Sequence, residues 1–368
     1  MPGLTEMWRP WAITACIMGC LGSVSAEGQT GDAAISAPSA INRSFGDSGL
    51  MARFNSSEQY GAVQARIGLY NAHNNLVAAT GSSYIFDDNV TAFVTPANAI
   101  IPVPALGKGL HVKVGYANIM ARGGNDGPTQ IDNDTQVGMA QLVWLSGDNV
   151  LIGAGVIHET SDVSLRHNGG DISTQGNGWR VDMLYRFAPQ WGASLRVSQL
   201  GGDADSIMPN VRFGAIRNRQ NFRRRYSEAA LIGTYRKRQL GGIPHGWVMR
   251  PALAFVWQDS KFDRSVNSLA ASVAGRREDY MLGIATIRLE KDGFRPWNPV
   301  PYGEAGLESE VRNTIAKNEH DPSSLYLKTG VAMNLGGKGR LDLYAARRDS
   351  LKGSFQSTTF NLLLSMAF

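Results

Sequence analysis

The 368 residues are 43% hydrophobic and 18% charged, include 42 glycines and carry a formal net charge of +5. That is enough apolar side chain for a large core or one sizeable barrel. Beyond the N-terminal stretch no run of eighteen apolar residues could form a membrane-crossing helix, a test that a β-barrel escapes because half of each strand faces a polar lumen. Apart from Arg217 to Arg225, the cations form no patch with interleaved aromatics, so the charge does not point to a nucleic-acid partner.

Residues 1–26 have the make-up of a signal peptide. Arg9 gives the basic start, Trp11 to Leu21 the apolar stretch, and Ser23-Val24-Ser25-Ala26 the small-residue cleavage site. Both cysteines, Cys16 and Cys20, fall inside it, so the processed chain is expected to have no disulfide. Residues 27–43 are small and polar and read as a leader. Residues 61–70 alternate weakly, 71–75 (Asn-Ala-His-Asn-Asn) read as a turn, and 76–80 and 84–94 as possible strands. Residues 95–108 contain Pro96, Pro102 and Pro104 and read as a linker. The span 27–108 is therefore expected to be a leader, a plug, a small N-terminal segment or extra strands.

From residue 109 to 368 the pattern changes to twelve strand-like segments: 110–122, 135–146, 150–160, 177–188, 191–200, 224–237, 246–259, 278–290, 302–312, 324–335, 340–348 and 354–368. Most have the roughly ten residues a tilted strand needs to cross a bilayer. The connections alternate. Long polar ones such as 161–176, 201–223 and 260–277 follow odd strands, and short ones such as 147–149, 189–190 and 336–339 follow most even strands. This rhythm predicts an all-β fold, a closed antiparallel transmembrane β-barrel of about twelve strands, or fourteen if 61–94 joins the wall.

Period-two alternation assigns the faces. In the fourth segment Trp179, Val181, Met183, Tyr185 and Phe187 oppose Arg180, Asp182 and Arg186; in the seventh, Trp247 to Trp257 oppose Arg250, with Pro251 removing a ladder donor. Glu304, Glu308 and Glu310 share one face of the ninth segment. The expectation is a lumen crossed by charge pairs among Arg180, Asp182, Arg186, Arg236, Arg250, Glu304, Glu308 and Lys328. The last strand puts Phe360, Leu362, Leu364, Met366 and Phe368 on one apolar face, and change there should cost more than Asn361→Asp on the other. Arg224-Arg225-Tyr226 and Arg276 to Tyr280 suggest a weak repeat, or simply similar strand starts.

The tracts Leu151 to Gly155, Trp179 to Tyr185, Trp247 to Phe255 and Ser357 to Phe368 resemble the translocator domain of autotransporters over about 260 residues. The resemblance implies a twelve-stranded outer-membrane barrel, closed by a strand whose terminal Phe is read by the barrel-assembly machinery. Outer-membrane lipids and lipopolysaccharide would be its surroundings. The chain departs from that family in having no long repetitive passenger before the barrel. No metal cluster, phosphate loop or cofactor motif is present, and the reading is a transport or secretion pore, or a plugged surface barrel, without catalysis. Gly155-Val156-Ile157-His158-Glu159-Thr160 resembles the Gly-x-x-His-x-Ser pattern of outer-membrane phospholipases, with Thr160 in place of Ser. An outer-membrane lipid hydrolase using His158 is thus a third alternative, but His158 is expected to face the lumen, away from lipid, as an ordinary rim histidine.

Overall fold

A computed structural model describes residues 41, 45, 49–80, 89–123, 130–166, 169–293, 297–316, 322–336, 339–353 and 355–368. The expected signal peptide, and most of the expected leader, lie outside these residues. Two helices come first, α1 (Leu50–Asn55) and α2 (Glu58–Thr80). The strands are β1 (Asn89–Pro102), β2 (Leu110–Gly123), β3 (Ile131–Ser146), β4 (Val150–Leu165), β5 (Gly170–Arg186), β6 (Trp191–Asn210), β7 (Gly214–Gly233), β8 (Tyr235–Arg236), β9 (Trp247–Phe262), β10 (Ser265–Val266), β11 (Ser272–Val273), β12 (Arg276–Lys291), β13 (Pro299–Asn313), β14 (Ser323–Leu335), β15 (Gly339–Ser350) and β16 (Gln356–Ala367).

Thirteen strands close into one ring: β1 to β7, β9 and β12 to β16, with β9 paired to β12 and β16 to β1. The twelve expected segments are all there, from β2 to β16. The thirteenth is β1, which agrees, over residues 89–94, with the possible strand at 84–94, corrects the count and overturns the linker reading for 95–102, while 103–108 does connect β1 to β2. Its prolines are placed where they do least harm. Pro96 falls where the β1–β16 ladder skips two residues, between Val94↔Asn361 and Ala97↔Leu364, and Pro102 ends the strand. Every neighbour pair in the ring is antiparallel except β1–β16, which is parallel. Pro251 has a visible effect too. β7 stops at Gly233, opposite Pro251, and the same register resumes in β8 with Tyr235↔Met249. A proline without an N–H interrupts the ladder there.

The long polar connections are shorter than they read. β6 and β7 pair from Trp191↔Gly233 to Asn210↔Gly214, so most of 201–223 is a strand hairpin. Likewise β4 and β5 stay paired to Leu165↔Gly170. Above an apolar belt a ladder needs no greasy face, because both sides meet water. The asymmetry between the two ends of the barrel therefore lies in how far strands project rather than in coil length.

Residues 61–80, read as strand and turn, are instead helical. Period-two reasoning failed because α2 is enclosed: Tyr60, Val63, Gln64, Ala65, Arg66, Ile67, Leu69 and Ala72 are all buried, on every side of the helix. A helix surrounded by wall carries no single apolar stripe to read. Its small-residue side lies against β1 and β2, where a Cβ on Gly61 would come within 3.1 Å of Val94 and 3.4 Å of Ile119.

The direction of α2 follows from its contacts. Ile41, Phe45, Leu50 and Phe54 pack with Leu151, Leu184 and Ala367, at the end of the barrel that carries the 147–149 turn. Leu69 and Ala72 pack with Ile131 and Leu165 at the other end, and Asn74 donates to the Ile315 carbonyl there at 2.7 Å. The chain thus rises through the lumen as helix and returns down the wall as β1, which is how an odd number of strands closes.

Candidate functional site: a latched lumen

The site is the inner face of the wall where it meets α1 and α2. At the first turn of α2, Glu58 receives the Tyr326 hydroxyl at 2.7 Å, the Tyr344 hydroxyl at 2.8 Å and the Lys328 ammonium at 2.8 Å. Arg348 reaches it at 3.5 Å and binds Glu308 through Nε at 3.0 Å. Placed at a helix N-terminus, the carboxylate also meets the positive end of the helix dipole.

Further along the helix the anchors turn to other strands. Tyr60 donates to Glu159 on β4, which also takes Arg224 of β7. Gln64 donates to Gln258 of β9. Arg66 donates to the Tyr280 hydroxyl at 3.1 Å and to Glu310 at 3.2 Å, and Glu310 also accepts from the Tyr70 hydroxyl at 2.8 Å. Tyr226 and Tyr280, from the two similar strand starts, both pair with Gln258 on the strand between them and line the same core.

The short helix α1 is held through its backbone. The Ser56 N–H caps Ala52 O and Arg53 O at its end, and the remaining acceptor capacity of its last carbonyls calls for side-chain donors. Arg196 adds such donors, reaching Arg53 O at 3.2 Å, Phe54 O at 3.1 Å and Ser56 O at 3.0 Å, and Lys113 Nζ bonds Phe54 O at 2.9 Å. Arg53 in turn pairs with Glu228 at 2.7 Å. Gly49, at φ 73°, sits where a Cβ would come within 3.2 Å of Arg250. Between this end of the plug and β9 to β15 there remains a cavity of ≈ 90 Å³, lined among others by Glu58, Arg250, Arg288, Glu304 and Lys328. That is space for a few waters, since each takes roughly 30 Å³ in the liquid.

The charges singled out in the sequence divide by height. Arg180 and Asp182 are buried and paired at 2.7 Å, with Arg196 joining Asp182 at 2.9 Å. Arg250 pairs with Glu290, Glu308 with Arg348, Lys328 with Glu58 and, at 3.9 Å, Glu304. Arg186 and Arg236 stand apart from this packed middle. Arg186 binds the Asp148 carbonyl at the short-turn mouth, and Arg236 binds Asp292 at 2.9 Å, both part-exposed. Glu58, Tyr60, Arg66, Arg196 and Glu228 did not stand out in the sequence. Strand alternation marks Arg196 and Glu228 as inward, but nothing marks the plug side of the pairs until α2 is known to be a helix.

His158 lies on the outer face, against expectation. The alternation of β4 turns Leu151, Ile157 and Glu159 inward, which sends Val156 and His158 out. The imidazole Nδ1 bonds Asn177 Oδ1 at 2.8 Å. Among the described residues no hydroxyl bonds to this ring, so the nucleophile–base contact that acyl transfer needs is missing. No cluster of three His, Cys, Asp or Glu able to hold a metal occurs among them either.

On the last strand, Phe360, Leu362, Leu364, Met366 and Phe368 alternate outward while Asn361, Leu363, Ser365 and Ala367 are buried. Phe360 stacks on Phe93 of β1 with ring centroids 5.2 Å apart, and the Phe368 N–H donates to Ile100 O at 3.0 Å. The terminal residue is thus part of the seam.

No protein-family model and no curated protein matches the chain. Solved structures do. The β domain of the Bordetella autotransporter BrkA aligns over 64% of this chain and 89% of its own, at 12% identity and a TM-score of 0.50. The translocator domain of the autotransporter NalP from Neisseria meningitidis aligns over 61% and 78%, at 12% identity and a TM-score of 0.48. The toluene transporter TodX of Pseudomonas putida gives 70% and 82%, 10% identity and a TM-score of 0.35. At such identities the likeness is one of fold, that of a closed translocator-type barrel.

Proposed function

We propose that this chain is an integral outer-membrane barrel that works as a gated transport pore, closed at rest by residues 50–80. The membrane part of the reading is supported by the outer face. On β9, Trp247, Met249, Leu253, Phe255 and Trp257 point outward, and the ten residues from one Trp to the other span about 25 Å when tilted, the height of a barrel's lipid-facing band. The pore part is carried by one observation: beside its apolar packing, the plug is tied to the wall by a network of ion pairs and hydroxyl bonds. Such contacts can be exchanged for water or a polar cargo, whereas a purely apolar seal cannot.

The direction of α2 bears on the cargo. Its leading end faces the short-turn mouth, the periplasmic side in barrels of this kind. Ile41 and Phe45, which precede α1, pack at that mouth, so the plug enters from the periplasmic side, which favours a pore for another molecule over export of the chain's own N-terminal part. Current through planar bilayers tests the reading. The intact protein should be nearly silent, and Glu58→Ala/Arg66→Ala should open discrete channels. Silence of that variant, folded and inserted, would favour a sealed surface barrel instead.

A further inference from the structure

The outer surface of β7, β9 and β12 carries a charge arrangement that the plugged pore does not use. Arg224 turns into the lumen, so its neighbours Arg223 and Arg225 point outward. The register sets Arg223 opposite Lys261, and Lys261 opposite Arg277. Three cations therefore stand in one row across three adjacent strands. Like charges directly opposite each other in a sheet repel.

Part of this charge is met and part is not. Arg277 pairs with Asp259 at 2.6 Å, and Lys261 lies 3.6 Å from Asp263. Arg225 has only the neutral Gln199, at 3.3 Å. Arg223 and Arg264 have no hydrogen-bond or ion-pair partner among the described residues. Six cations and two carboxylates line one open groove of ≈ 700 Å³, a surplus of four positive charges, of which one, Arg276, is met by Glu278 at 2.8 Å. One phosphate would leave most of that groove empty.

Height identifies the occupant. Trp257 lies on the same face of β9 as Asp259, two residues lower, and its ring N–H bonds Asp279 at 2.9 Å. A Trp donating upward marks the border between acyl chains and headgroups. The groove begins one residue pair above it, on the side where β6 and β7 project farthest.

We propose that this groove binds the phosphorylated headgroup of a lipid in the outer leaflet, one carrying at least two phosphates, with Arg223, Arg225, Lys261 and Arg264 as its ligands. The assignment rests on the membrane reading above. Bidentate guanidinium–phosphate pairs suit this chemistry.

The test uses the full chain purified in a neutral detergent, with diphosphoryl lipid A as probe. Heat-modifiable migration first establishes that each variant is folded; failure of the wild type there would count against the membrane reading, separately from this one. The wild type should retain the diphosphorylated lipid at least tenfold more tightly than its fully dephosphorylated form. Arg223→Gln/Arg225→Gln/Arg264→Gln should lose that preference. Arg122→Gln/Arg166→Gln, which removes outward cations from the β2–β4 side, should keep it. Equal binding by both variants, or equal loss in both, would overturn the proposal. Full competition by inorganic pyrophosphate at the lipid's own concentration would mean a free-anion site and overturn the lipid assignment.

Discussion

Along β9 the two faces of one strand follow different rules. Outside, Leu253 and Phe255 are more than half exposed on the surface assigned to lipid; inside, Val256, Gln258 and Ser260 are buried against plug and wall. The outer face is uniform and tolerant in detail, since any apolar side chain of moderate size satisfies lipid. The inner face is specific: charges such as Glu58, Asp182, Glu308 and Glu310 meet particular partners, and several partners are shared. A lipid-facing surface is selected for composition, a plugged lumen for pairing.

Four substitutions would break or sharpen that contrast. Arg348→Ala should have the largest effect, because it leaves Glu308 without its main partner and Glu58 short of one. Losing one member of a buried ionic cluster typically costs about 3–5 kcal/mol. Denaturant unfolding in lipid vesicles would read it, and a loss under 1 kcal/mol would mean that water already screens the cluster. Next comes Leu253→Arg at mid-belt, where a cation costs ~2–4 kcal/mol on a barrel's lipid face. An unchanged midpoint would show that this face meets water instead.

Phe93→Ala should be smaller. It removes the stack on Phe360 across the parallel seam, a contact worth ~0.5–1.5 kcal/mol beyond its area. The expected sign is faster unfolding and a lower temperature for the heat-modified gel shift. Arg122→Gln should be least, within ~1 kcal/mol, since its pair with Asp132 is exposed and screened. If this surface pair matched Arg348→Ala, the division between the two faces would be wrong.

Much of the wall is legible in the sequence because alternation needs only two neighbours. Trp179 against Arg180, or Phe255 against Val256, states its face locally once the strand is recognised. Three things are not local. The helical state of 58–80 goes with enclosure by strands up to β16, which removes the single apolar stripe; its Ala, Leu, Gln and Arg favour helix, and only its Gly and Asn argue against it. The strand β1 needs β2 and β16 to be seen as wall, and its prolines argue against it when taken alone. The facing of His158 depends on which alternate set of β4 points inward, and the glycines at 153 and 155 give no hydrophobic contrast to decide it. Asn361 teaches the same lesson. It is 2% exposed, so Asn361→Asp would bury a charge and is a poorer control than the alternation suggests.

The seam between β1 and β16 also sets an order of events. Its partners, such as Asn89 and Gln356, lie almost at opposite ends of the barrel sequence. Closing so long a loop is entropically late and slow. Until the final strand is in place, the growing sheet is an open trough with two unpaired edges. Helix α2 leads into β1 across only the short span of residues 81–88, so fixing β1 against β16 seals the trough over the helix in the same step. Encapsulation of the plug is then a product of ring closure, with no later threading through a mouth.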